Sequence, residues 1–144
     1  MTSAEHAGPV VADTGVFGAD LLPTKRVLAS SYQPFLAGRP VFISFITVAE
    51  LRYGARRAGW GDPRLRRLDL RIGTAEVVWP GPQLTGVYVD LRDACARKGH
   101  GLAQPVHEAD RWIAATAVWL RVPLVSHDNI FREAPGLTLL TALP

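Results

Sequence analysis

The chain has 144 residues, 48% of them hydrophobic and 20% charged, which excludes a disordered chain and leaves enough apolar surface for one buried core. A net charge of +3 and an isoelectric point near 9.5 permit contact with nucleic acid without requiring it. The lone cysteine, Cys95, excludes an intrachain disulfide and a thiolate zinc cluster and suits a reducing compartment. Met1–Pro9 lacks the basic and apolar regions of a leader, and the apolar run Trp112–Leu120 is too short to span a bilayer. The expectation is a cytoplasmic protein with no membrane partner.

Residues 1–8 read as a frayed tail on a single domain covering 1–144. Val10–Ala12 reads as a short buried strand, and Thr14–Leu22 as a helix or turn stopped by Pro23. Lys25–Leu36 carries apolar residues at helical spacing and ends at Gly38. Val41–Ile46, β-branched and aromatic, predicts a strand. Thr47–Ala58 predicts a helix stopped by Gly59, and Pro63–Ile72 a second, arginine-rich one. Val77–Trp79 is a strand cut off by Pro80, and Gln83–Lys98 a helix with Leu84, Val87, Tyr88, Leu91 and Cys95 on one face. Val106–Leu120 is helical, entered after Pro105. Leu124–Ser126 and Leu137–Leu140 close the chain as short strands. Strands alternating with helices predict an α/β fold, a parallel sheet covered on both faces.

In such a sheet the strand carboxyl ends and the helix N-termini share one edge, where these folds bind ligands. Four carboxylates fall there: Asp13 after Val10–Ala12, Asp128 after Leu124–Ser126, and Glu50 and Asp110 near the starts of two helices. Each has a structural alternative. Thr47-Val48-Ala49-Glu50 fits a capping box. Asp110 gains from the helix dipole, Asp128 suits a turn, and Asp13 can cap the helix that follows it. Caps and turns occur at both ends of a domain, however, whereas these four converge on one. Four clustered acids repel one another unless a cation lies between them, and Mg²⁺ prefers oxygen ligands. Glu108, two residues before Asp110, can assist or compete.

Arg52, Arg56 and Arg57 follow Glu50 on its helix, with Arg64, Arg66, Arg67 and Arg71 on the next. They read either as a solvated surface or as a track for a phosphate backbone beside the acids, the combination a nuclease needs. There is no Gly-x-Ser-x-Gly elbow and no Walker A loop. The four histidines show no zinc-binding spacing, and strand alternation points His127 away from Asp128.

Val11-Ala12-Asp13-Thr14-Gly15-Val16-Phe17, Ile46-Thr47-Val48-Ala49-Glu50-Leu51-Arg52-Tyr53-Gly54, Ala109-Asp110-Arg111-Trp112-Ile113-Ala114-Ala115-Thr116-Ala117 and Pro123-Leu124-Val125-Ser126-His127-Asp128-Asn129-Ile130-Phe131 together resemble the PIN-domain ribonucleases, and in particular the VapC toxins of bacterial toxin–antitoxin pairs. The motifs stand in the family's order and spacing over about residues 10–140. The resemblance implies a PIN-like three-layer fold with a central parallel sheet of about five strands flanked by helices. It implies a Mg²⁺- or Mn²⁺-dependent endoribonuclease toxin acting on structured RNA, either tRNA or rRNA. Asp13, Glu50, Asp110 and Asp128 would be its metal-binding and catalytic quartet, with Thr14 and Ser126 beside it; Glu108 as a support and Arg52, Arg56 and Arg57 toward RNA are read from the residues themselves. It further implies a homodimer silenced by a VapB-type antitoxin. Gly15 stands where the family commonly has serine, and Ala109 where it has asparagine; neither removes a carboxylate. The residues by themselves leave open a non-catalytic RNA- or protein-binding module and a metal-dependent DNA nuclease.

Overall fold

The computed structural model describes residues 8–144, so all but Gly8 of the expected tail lies outside the described residues. Five strands form one sheet: β1 (Val10–Ala12), β2 (Val41–Ser44), β3 (Glu76–Val78), β4 (Leu124–Val125) and β5 (Leu139–Leu140). Their spatial order is β3-β2-β1-β4-β5, with every pairing parallel. The register sets Val11 beside Phe42 on one side and Leu124 on the other. The sheet therefore grows outward in both directions from β1, and the order reverses between β1 and β4. Loops leaving those two strands diverge and open a crevice at the carboxyl edge.

Among the described residues six α-helices cover the sheet: α1 (Thr14–Phe17), α2 (Arg26–Leu36), α3 (Phe45–Arg57), α4 (Asp62–Gly73), α5 (Pro82–Lys98) and α6 (Glu108–Leu120). Side-chain alternation along β1 divides the core in two. Val11 and Leu124 face α5 and α6, packing with Leu84, Tyr88, Leu91 and Ile113. Val10, Ala12, Ile43 and Val125 face the other way, toward Val16, Phe17 and Tyr32. Helix α6 is buried on almost every side, and its run Ala114-Ala115-Thr116-Ala117 keeps its girth small enough to lie against the sheet. No helix among the described residues is long and apolar enough to cross a membrane.

The elements agree with the sequence reading in kind and shift at their ends. Expected strand Val41–Ile46 stops at Ser44, and helix α3 starts two residues before Thr47. The cause is Ser44 itself, whose hydroxyl accepts from the Ile46 amide and caps the helix. The capping-box reading of Glu50 is thereby overturned: Thr47 lies inside α3, and Glu50 is a full turn further on. Thr14–Leu22 divides into α1 and a 3-10 turn at Ala19–Leu21. Val106–Leu120 starts at Glu108, after a 3-10 turn at Pro105–His107. Trp79 falls outside β3 and is exposed.

Candidate active site

Asp13 is the first residue beyond the central strand. Its backbone is extended, and its carboxylate caps α1 by accepting from the Thr14 amide at 2.8 Å. The other carboxylate oxygen accepts from the Ser126 hydroxyl at 2.7 Å, across the β1–β4 gap. Ser126 in turn accepts from the Asp128 amide at 3.1 Å, so one hydroxyl ties the ends of β1 and β4 together. Asp128 caps the 3-10 turn Asn129–Phe131, accepting from the Ile130 amide at 3.0 Å. The cap predicted for Asp13 and the turn predicted for Asp128 are therefore present, and they fix both side chains at the crevice.

Glu50 reaches the crevice from α3. It accepts from the Thr14 hydroxyl at 2.7 Å, and that hydroxyl lies 2.9 Å from the hydroxyl of Thr47. Thr14 has one hydroxyl proton, which goes to Glu50, so the buried Thr47 must donate to Thr14. The chain Thr47 to Thr14 to Glu50 orients the carboxylate from inside the protein. Asp110, in the first turn of α6, accepts from His107 Nδ1 at 2.8 Å.

The four carboxylates line one cleft of about 410 Å³, together with Thr14, Val16, Leu28 and His127. Burial is the main force on Asp13, and the charges of Asp110 and Glu50 act in the same direction. Its pKa is pushed up to about 6 from 3.8, although the hydrogen bonds from Ser126 and Thr14 pull it down. A larger hollow of about 620 Å³, lined by Phe17, Gln33, Leu36 and Thr74, holds no such group of acids. Its Asp20 is paired with Arg71 at 3.3 Å.

As they stand, no three His, Cys, Asp or Glu side chains among the described residues form a group that can hold a metal ion. Each of the four acids is turned toward a protein donor. The chemistry of the donor set nevertheless fits a hard divalent cation: carboxylate oxygens, with Asp13 pushed toward protonation by burial and by Asp110 and Glu50.

The remaining expected residues are placed as follows. Thr14 and Ser126 both touch the quartet. Glu108 is exposed at the first position of α6 and does not line the cleft. Arg52 is paired with Asp69 at 3.0 Å on the surface. Arg56 and Arg57 are exposed in the last turn of α3, outside the cleft lining. His127 departs from expectation: it lines the cleft, and its Nδ1 lies 2.8 Å from the Tyr32 hydroxyl. Strand β4 ends at Val125, so strand alternation does not govern residue 127. His107 was missed for lack of any metal-ligand spacing; the three-residue step to Asp110 across the start of a helix was the signal for it.

Beside the acids runs an apolar groove of about 390 Å³ that shares Thr14, Gly15, Leu28 and Glu50 with the cleft. It continues over Leu51 and Trp60.

A family model for the PIN domain matches residues 10–137. Ribonuclease VapC1 of Haemophilus influenzae (strain R2866) is 26% identical over 103 residues, which cover 72% of this chain and 74% of that protein. VapBC2 of Rickettsia felis, solved bound to a DNA fragment from its promoter, superposes with a TM-score of 0.75 at 21% identity. The match covers 92% of this chain and 98% of that one. VapBC-5 of Mycobacterium tuberculosis, described as a toxin–antitoxin system, superposes with a TM-score of 0.62 at 26% identity, covering 94% of this chain and 98% of that one. With the crevice at the β1–β4 reversal, its four acids and a family match over most of its length, the chain belongs to the PIN domain family.

Proposed function

We propose that this chain is a metal-dependent endoribonuclease of the VapC type, a toxin that hydrolyses phosphodiester bonds in structured RNA and is restrained by a VapB-type antitoxin. The observation that carries the reading is the convergence of Asp13, Glu50, Asp110 and Asp128 on one cleft, with Asp13 driven toward protonation by burial and by its acidic neighbours. Nothing in a cap or a turn requires that crowding. A divalent cation relieves it, and Asp13, Glu50, Asp110 and Asp128 are the residues that would hold Mg²⁺ or Mn²⁺. Bound there, the ion would supply charge neutralisation and Lewis acidity toward the phosphodiester and its attacking water.

The protein's own groups prepare the site. Ser126 and the Thr14 amide each donate to one oxygen of Asp13 and fix the direction of its carboxylate. Thr14 fixes one oxygen of Glu50 and leaves the other free for the cleft. Arg56 and Arg57, unpaired with any acid among the described residues, would meet phosphates outside the cleft. Arg52 would have to exchange Asp69 for phosphate. The apolar groove gives an antitoxin tail a seat that ends at Glu50. The homodimer expected of such toxins completes the reading.

Purified protein is presented in Mg²⁺ with tRNA, rRNA, single-stranded DNA and duplex DNA. Cuts confined to RNA at a few positions support the proposal. Cutting of DNA alone would make this a DNA nuclease, and binding of RNA without cutting would make it a binding module.

A further inference from the structure

We infer that His107 is the positioning residue for Asp110, holding that carboxylate for a divalent cation; the inference rests on the metal-dependent reading above. His107 closes the 3-10 turn Pro105–His107 and occupies the residue immediately before α6. Its Nδ1 lies 2.8 Å from Asp110 Oδ2, with the two side chains 26% and 27% exposed. A carboxylate can only accept, so Nδ1 carries the proton and donates.

The arrangement differs from the supports of the other acids. Asp13 and Asp128 are held by backbone amides of their own turns, and Glu50 by a hydroxyl chain that reaches the core. Asp110 has the His107 ring as its one hydrogen-bond partner among the described residues. The contact takes Oδ2 and leaves Oδ1 for the cleft that Asp110 lines, whereas His107 itself stays outside the cleft lining. A three-residue tether keeps the ring in place at small entropic cost, because His107 is the N-cap residue of the helix whose first turn carries Asp110.

Helix stability gives no reason for the pairing. The N-terminal end of a helix favours anions and disfavours a histidine that gains charge. Asp110 satisfies the dipole alone. What the imidazole adds is a fixed direction for the carboxylate, the service that outer-shell donors perform for ligands at metal sites.

The test is Mn²⁺ binding by calorimetry, without RNA, on wild type, His107→Leu, His107→Ala, His107→Asn, Asp110→Asn and the double variant His107→Leu/Asp110→Asn. Loss of the ring donor is expected to weaken Mn²⁺ about tenfold or more in both His107→Leu and His107→Ala. His107→Asn, whose amide nitrogen can take the place of Nδ1, should bind close to wild type. His107→Leu should weaken binding no further once Asp110 is Asn. Wild-type affinity in either donor-less variant that melts like wild type would overturn the inference. So would His107→Asn binding as weakly as His107→Leu. A wild-type protein that binds no Mn²⁺ would instead sink the metal reading, and the inference with it.

Discussion

Replacing Asp13 by Asn should stabilise the metal-free protein at neutral pH while removing the proposed ribonuclease activity. Burial, with the help of Asp110 and Glu50, raises the Asp13 carboxyl to about 6 from 3.8. The folded protein thus binds this proton more tightly than the unfolded chain does. Below about pH 4 the group is protonated in both states, and its folded environment costs nothing. As pH rises through the window from 3.8 to about 6 the unfolded chain ionises first, and stability is lost. Above that window the loss is complete, at about 3 kcal/mol, reduced to about 2 kcal/mol by solvent at the cleft mouth. An amide cannot ionise and avoids this loss. It also disturbs the Ser126 hydrogen bond, which adds an offset that does not vary with pH. Urea melts in EDTA should show Asp13→Asn gaining about 2 kcal/mol on wild type between pH 4 and pH 7. A difference that stays flat over that range, whatever its sign, would refute the claim that burial and the neighbouring acids raise the Asp13 carboxyl.

Other substitutions probe the supports. Thr14→Val removes the donor to Glu50 and the acceptor for Thr47; it should cost about 1 kcal/mol in urea melts and weaken Mn²⁺ in titrations. Arg111 is buried and donates to the Tyr88 hydroxyl and to the carbonyls of Leu102 and Gln104. Arg111→Met leaves those acceptors unpaired and should cost about 3 kcal/mol, read as a lower urea midpoint. Cys95 is buried against α6, and burial pushes its thiol up. It should react with a thiol reagent only as fast as the protein opens, and a rapid reaction of the native protein would contradict that packing.

The sheet was legible because its strands are short apolar runs bounded by turn residues and because helices alternate with them. Asp13 and Asp128 were legible for the same reason, each standing just beyond such a run. Glu50 and Asp110 were located by position, but the groups that orient them were not. Ser44 took the cap assigned to Thr47 because a serine at a strand end can turn its hydroxyl onto the next helix, and sequence alone gives both residues equal claim. Thr47 supports Glu50 only through Thr14, 33 residues away, a contact that local pattern cannot encode. His127 was misjudged by carrying strand alternation past the last paired residue. Arg111 stands in the sequence only as part of the motif around Asp110, with no role assigned to it. Its burial follows from α6 being enclosed on nearly all sides, which the apolar run Trp112–Leu120 announces.

The central claim is that the four acids form a metal-dependent ribonuclease site. Its most direct test is incubation of total cellular RNA with antitoxin-free protein in Mg²⁺ or Mn²⁺, in EDTA, and with Asp13→Asn. Discrete cuts that require the cation and vanish in the variant are the predicted result. Cuts that persist in EDTA or in a folded Asp13→Asn protein would contradict the account.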